Sequence, residues 1–301
     1  MSDDTATPAP ATPAAAEFRA TAKPAAQQLL GPHPPVVEFK KVCKIFGQGA
    51  DRAVAIQDVS FAVEDEPGRG EIVTLLGPSG CGKSTVLRII AGLEPHFPPT
   101  SGEALVAGQS VSGPGADRGM VFQDYTSYPN RTVLRNVEFG LEVQGMAKAE
   151  RRELALKWIE RVGLKGHDHK YPHELSGGMK QRVAIARTLV MRPRIILMDE
   201  PFGALDPETR YNMQEMLVEL WRELEATVFF VTHSITEAAY LGDHVFVFKA
   251  GPGRLVEQLT LPRPDAPPAA MELRADFREV VGLLKSKVFG VKSAAPLTAQ
   301  D

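Results

Sequence analysis

Gly77-Pro78-Ser79-Gly80-Cys81-Gly82-Lys83-Ser84-Thr85 stands between a short apolar run, Ile72 to Leu76, and a stretch of helical periodicity, Ser84 to Ala91. The nonapeptide fits the pattern Gly-x-x-x-x-Gly-Lys-Ser/Thr, which holds the phosphates of a nucleoside triphosphate. Strand, glycine loop and helix in that order make an anion cradle. Gly77, Gly80 and Gly82 let the backbone approach phosphate oxygens that a Cβ would keep away. The helix that follows points free N–H groups and its positive dipole end at the anion. Lys83 is placed to reach the β- and γ-phosphates, and the Ser84 hydroxyl to ligate Mg²⁺.

Two further motifs follow in a fixed order. Ile195-Ile196-Leu197-Met198-Asp199-Glu200 is a buried strand tipped with two acids, and such strands deliver their last side chains to the sheet edge where ligands sit. Successive side chains point opposite ways, so the carboxylates take different tasks: Asp199 on Mg²⁺ through water, Glu200 on the water that attacks the γ-phosphate. Upstream, Leu175-Ser176-Gly177-Gly178-Met179 opens a helix whose apolar face reads Met179, Val183, Ala186, Val190. Ser176 is a good N-cap, and a serine with two glycines at a helix start also makes a second anion site.

The rest of the chain reads as α/β. Strands are expected at Val36 to Ile45, Ala53 to Val63, Ile72 to Leu76, Arg118 to Phe122, Ile195 to Met198, Thr227 to Val231 and His244 to Lys249. Alternation of strands with helices argues for a parallel sheet covered on both faces. The pattern is helical over Thr132 to Val162, and a helical stretch from about Thr132 to Met191 interrupts that alternation and predicts an inserted helical subdomain at about 124–191. Residues 1–35, rich in Ala, Pro and Thr, bury too little apolar surface to offset their ordering entropy and read as a disordered tail. The nucleotide-binding domain is expected over 36–260, and 261–301 reads as a linker, a short C-terminal helix from Leu273 to about Val288, and a tail. At 301 residues and 44% hydrophobic content the chain can build a full core, and its formal charge of −3 gives no general pull toward nucleic acid. No run of 18 apolar residues exists, so any membrane role is peripheral. Cys43 and Cys81 form no disulfide framework. Cys81, close to a helix N-terminus and to Lys83, is expected to favour thiolate and to react with maleimide.

The three motifs in this order resemble the ATP-binding cassette (ABC) ATPases, with Met179 standing where the commonest signature has Gln. The resemblance implies a P-loop core with a parallel or mixed sheet, an antiparallel N-terminal β subdomain and the inserted helices. It implies a homodimer that sandwiches ATP and Mg²⁺, with Leu175, Ser176, Gly177 and Gly178 of one copy meeting the nucleotide in the P-loop of the other. By the same resemblance Gln123 is the Q-loop glutamine on the Mg²⁺ site, Asp206 the D-loop residue at the dimer contact, His233 the switch histidine on the γ-phosphate, and Phe46 the aromatic that stacks on adenine. Gly113-Pro114-Gly115-Ala116-Asp117-Arg118-Gly119-Met120-Val121-Phe122-Gln123, and Gly251-Pro252-Gly253-Arg254-Leu255-Val256-Glu257 followed by Leu261-Pro262-Arg263-Pro264, look like segments of the nitrate/sulfonate/taurine importer ATPases. That implies an ATPase on the cytoplasmic face of the membrane, working with permease subunits and a separate solute-binding protein. The alternatives are a soluble ABC ATPase acting on nucleic acid or ribosomes, disfavoured by the short insert and the lack of a basic stripe, and a non-hydrolysing ATP-dependent clamp, disfavoured by Glu200 and His233.

Overall fold

The computed structural model describes residues 21–22, 34–64, 68–124 and 126–290. Among these residues the strands form two sheets. The larger has seven strands in the order β1 (Thr21–Ala22), β11 (Arg254–Thr260), β10 (His244–Lys249), β4 (Glu71–Leu76), β9 (Thr227–Thr232), β8 (Ile195–Asp199) and β7 (Arg118–Val121). The run from β10 to β7 is parallel, while β11 pairs antiparallel with β10 and with β1. The smaller sheet is antiparallel, ordered β3 (Ala53–Val63), β2 (Val37–Phe46), β5 (Ser101–Val106), β6 (Gln109–Ser110). The mixed sheet and the antiparallel N-terminal sheet agree with what the resemblance implies.

Alternation along the central strands decides which helices cover which face. Ile196 and Met198, Val228 and Phe230, Val245 and Val247 pack into one core, which also holds the apolar residues of the inserted helices. These helices, α2 (Val133–Val137), α3 (Phe139–Val143), α4 (Lys148–Arg161) and α5 (Gly177–Leu189), lie between β7 and β8 in the chain. The same core holds residues of α6 (Pro207–Glu223), α7 (Ile235–Leu241), α8 (Pro268–Leu273) and α9 (Ala275–Phe289). Ile195 and Leu197, Phe229 and Val231, Phe246 and Phe248 pack into the other core with α1 (Lys83–Ala91) and the antiparallel sheet. A period of two has sorted the helices onto opposite faces. Both faces being covered, β4, β8 and β9 are mostly apolar and are buried at every position.

Several boundaries depart from the sequence reading. The helical pattern of Thr132 to Val162 is three helices, because Glu138 ends one and starts the next, and Gly145 at φ 80° turns the chain before α4. The C-terminal helix is a pair: Pro268, at an N-terminal position where its fixed φ suits a helix, starts α8, and Arg274 in an extended conformation separates it from α9. Most of residues 1–35, read as a disordered tail, lies outside the described residues, but Thr21 and Ala22 pair with Thr260 and Leu259, and Pro35 is buried. Residues 291–301 also lie outside them.

The stretch after β11, read as a linker, is fastened to the sheet. Leu261 donates its N–H to the Asp243 carbonyl at 2.8 Å. Arg263 gives its Nε to Asp243 Oδ1 at 2.6 Å and a second donor to the Gly70 carbonyl. Asp243 is buried, and its other oxygen accepts the N–H of Ile72 at 2.9 Å. One carboxylate thus joins the start of β4, the start of β10 and the chain leaving β11. Removing it strands a buried N–H and an arginine together. Asp243→Ala is expected to cost about 3 kcal/mol and to lower Tm by roughly 6–12 °C in thermal melts. A melt within one degree of the parent would show that the clamp contributes nothing.

Candidate nucleotide site

β4 ends at Leu76 and the chain turns at once through Gly77. A Cβ on Gly77 would stand 2.5 Å from the Phe248 carbonyl oxygen and 2.8 Å from Cys81 Sγ, so the turn is closed to every other residue. Gly82, at φ 86°, is the N-cap of α1, and a Cβ there would meet the Ala55 carbonyl at 2.8 Å. Between them Pro78 is half-buried, Ser79 and Gly80 are exposed, and Cys81 is fully buried. Lys83 is buried, and its ammonium donates to the carbonyls of Gly77 at 2.8 Å and Pro78 at 2.9 Å, with Cys81 Sγ at 3.7 Å. Thr85 is buried beside it.

β8 runs parallel to β9, which runs parallel to β4, so the C-terminal ends of the three strands share one edge. Ser84, in the first turn of α1, donates its hydroxyl to Asp199 Oδ1 at 2.7 Å. Arg88, one helical turn further, reaches Asp199 Oδ2 at 3.3 Å. Spacing could have found Arg88, which lies four residues after Ser84 and so on the same helix face. The hydroxyl and carboxylate oxygens are hard donors of the kind Mg²⁺ takes alongside phosphate oxygens and water. Among the described residues no three His, Cys, Asp or Glu side chains converge to form a protein-only metal site.

Glu200 leaves the strand in the left-handed region, at φ 45°, a costly conformation for a glutamate. Its N–H is held by the Val231 carbonyl at 3.1 Å, and its Oε2 lies 3.0 Å from Nδ1 of the exposed His233. Carboxylate and imidazole thus meet at the ends of β8 and β9, a pair able to hold a water and take its proton. Gln123 is exposed two residues past β7, at the same edge one strand over.

The Ser176 turn is built on the other face. Ser176 is the N-cap of α5, its hydroxyl accepting the Met179 N–H at 3.3 Å. Gly178 is buried, and a Cβ on it would meet Thr209 Cγ2 at 2.6 Å. Leu175 is buried, Ser176 exposed, and Gly177 between the two. Asp206 caps α6 in the same manner, accepting the Thr209 N–H at 3.0 Å, and that bond holds its carboxyl below the usual range. α1 and α5 belong to different cores on opposite faces of the sheet, so the structure brings Lys83, Ser84, Asp199, Glu200 and His233 together and leaves Ser176 apart from them.

Phe46 ends β2, half-buried, with His96 edge-on at 5.2 Å and the Lys44 ammonium 5.3 Å from its ring centre. Lys44 donates to the Pro98 carbonyl at 2.8 Å, and burial lowers its pKa. His96 lies 3.5 Å from Arg88, and burial first, then Arg88 and Lys44, lower its pKa. A chain of contacts thus runs from the aromatic ring to Asp199. Neither Lys44 nor His96 stands in a motif, and the sequence offers no signal for them.

The Cys81 expectation is overturned. The thiol has no exposed surface, and burial pushes its pKa up more strongly than Lys83 and its hydrogen bonds pull it down. Proximity to a helix start favours thiolate only where solvent or a donor can reach the sulfur. Maleimide applied to the native protein is therefore expected to leave Cys81 unmodified, and to modify it in denaturant, as read by peptide mass spectrometry. Stoichiometric labelling of Cys81 under native conditions would contradict the buried placement.

Comparison with known proteins agrees with this geometry. The sequence profile described as ABC transporter matches residues 56–203. An uncharacterised ABC transporter ATP-binding protein of Methanocaldococcus jannaschii is 48% identical over 254 residues, covering 84% of this chain and 92% of that protein. The nitrate import ATP-binding protein NrtD of Synechocystis is 46% identical over 228 residues, 76% of this chain and 83% of the relative. The taurine import ATP-binding protein TauB of Yersinia pestis is 48% identical over 207 residues, 69% and 78% of the two chains. Among solved structures, the dimeric post-hydrolysis cassette MJ0796 bound to ADP and Pi is 34% identical with a TM-score of 0.65, covering 75% of this chain and 99% of that one. The cbiO1 protein of Clostridium perfringens, part of the transporter complex cbiONQ, is 27% identical with a TM-score of 0.66, covering 83% and 95%. The chain belongs to the ABC transporter ATP-binding proteins, ATPases whose hydrolysis is coupled to transport.

Proposed function

We propose that this chain is the ATPase of an importer for a small anionic solute of the nitrate, sulfonate or taurine kind, and that it works as a homodimer with two ATP molecules between its subunits. The observation that carries the hydrolytic part is the pairing of His233 with Glu200 at 3.0 Å, beside the Ser84–Asp199 contact at 2.7 Å. The relatives named for nitrate and taurine import support the solute class.

In this reading the P-loop from Gly77 to Thr85 wraps the phosphates and Lys83 exchanges its carbonyl partners for phosphate oxygens. Ser84 and Asp199, with Gln123, hold Mg²⁺, which neutralises charge on the phosphate oxygens. Glu200 takes a proton from the attacking water as its oxygen bonds to the γ-phosphorus and the bond to ADP breaks; His233 contacts the γ-phosphate and orients Glu200. Phe46 offers its ring to the adenine. Ser176 and its glycines lie on the other face from α1, which supports their use on the nucleotide of the second copy, with Asp206 at the contact between copies. Closure drives permease subunits, because ATP binds the closed state more tightly than the open one. The permease and a separate solute-binding protein select the solute. Among the described residues no helix is long and apolar enough to cross a membrane, and we assign the subunit to the cytoplasmic face of the membrane beside its permease.

Glu200→Gln tests the core of this reading. It is expected to keep ATP affinity within about twofold and to slow hydrolysis by 10²–10⁴, the usual contribution of a positioned base. ATP-bound dimer is then expected to accumulate in size-exclusion chromatography. Lys83→Ala differs, losing nucleotide affinity itself. Hydrolysis at the parent rate by Glu200→Gln would remove Glu200 from the mechanism.

A further inference from the structure

Two helices leave the C-terminal edge of the sheet near one another. α6 begins after Asp206, in the loop assigned above to the contact between copies, and α7 begins two residues after His233. Arg210, in the first turn of α6, donates from Nη2 to the Leu205 carbonyl at 3.0 Å, and its Nε stands 3.5 Å from Glu237 Oε1. Glu237, in the first turn of α7, is 6% exposed. Its other oxygen accepts the hydroxyl of Thr232 at 2.5 Å, and that hydroxyl oxygen accepts the Ser234 N–H at 2.9 Å. The Ser234 hydroxyl in turn accepts the Glu237 N–H at 3.3 Å. Thr232 and Ser234 are the two chain neighbours of His233, so the residues on both sides of the histidine are tied to one carboxylate.

A buried carboxylate is expensive unless paired and hydrogen-bonded. Closing the start of α7 needs only the Ser234 cap, and the apolar residues of α6 and α7 already share one core. The carboxylate adds a link that packing does not supply, from the Asp206 loop to the histidine backbone. The guanidinium side of that link is loose: Arg210 Nε is buried and makes no hydrogen bond of good geometry. A pair at 3.5 Å closes or opens with a small movement of the loop that carries Leu205 and Asp206.

We propose that Arg210 and Glu237 are a positioning pair for hydrolysis, holding His233 against Glu200 and tying that alignment to the position of the Asp206 loop. The pair touches neither the nucleotide nor the attacking water. It rests on the reading of Glu200 and His233 as the hydrolytic groups.

The test compares steady-state ATPase kinetics of the full chain with nucleotide affinity, read by a fluorescent ATP analogue, and with Tm. Glu237→Gln, isosteric and still able to accept from Thr232, is expected to lower kcat about tenfold or more. KM and nucleotide affinity should stay within about twofold. Arg210→Gln should do the same, the double variant should be no worse than the more damaged single, and Arg210→Lys should recover most of the rate. Such non-additivity and conservative rescue are what two residues acting as one unit give. If kcat of both single variants stays within twofold of the parent, if kcat and affinity fall together, or if the two losses multiply, the proposal is wrong. Should Glu237→Gln fail to fold, the contrast between Arg210→Gln and Arg210→Lys still decides it. Glu200→Gln in the same assay separates the two readings. A fast Glu200→Gln overturns the hydrolytic assignment, whereas a slow one beside a normal Glu237→Gln overturns only the positioning pair.

Discussion

Parallel pairing of β4, β9 and β8 is the constraint from which the site follows. Their register sets Leu76 beside Thr232, and Val231 beside Asp199. The P-loop, the acidic pair and His233 therefore leave the sheet at one edge, though the P-loop lies more than a hundred residues of chain before the other two. The hydrogen bond from Ser84 to Asp199 spans 115 positions in sequence, and it forms because two strands with no exposed side chain pack at full depth on both faces. Loops placed on such a rigid base keep their geometry without help from their own packing.

The same sheet keeps the glycine loop of Gly77 to Thr85 and the Ser176 turn apart. Odd and even positions of each central strand feed different cores, one beneath α1 and the antiparallel sheet, the other beneath α5 and its neighbours. One sheet thus carries the glycine loop before α1 and the Ser176 turn before α5 on opposite faces. A second feature is strain at the junction. Glu200 pays for a left-handed backbone, and the Val231 carbonyl on its N–H, together with His233 on its side chain, holds it there. Strain stored in that way points the carboxylate out of the strand direction, toward β9.

What could be read from the sequence was what local pattern encodes. The central strands, the glycine loop and the two helix starts each follow from contiguous residues with a period or a cap. α6 was absent from that reading although Asp206-Pro207 is a start signal, an N-cap followed by a proline at the first helical position. β5 and β6, short and partly exposed, carry little periodicity. His96, Arg210, Glu237 and Arg263 act through partners far along the chain or on another element, and one sequence holds no trace of those pairings. Cys81 was misjudged for a different reason. The local rule for a helix start is correct, but the depth of the P-loop under Phe248 and Ile56 decides the outcome, and depth is a tertiary property.

The outermost strands of the large sheet are short, two residues in β1 and four in β7. Open sheet edges are where one chain most readily adds to another by backbone pairing. Here the described edge positions offer too few consecutive N–H and C=O groups to template such an addition. Two copies that associate have little to gain by extending the sheet side to side. In the reading proposed above they meet through loops at the strand ends, so an association that buries these loops and one that senses what they hold become the same event.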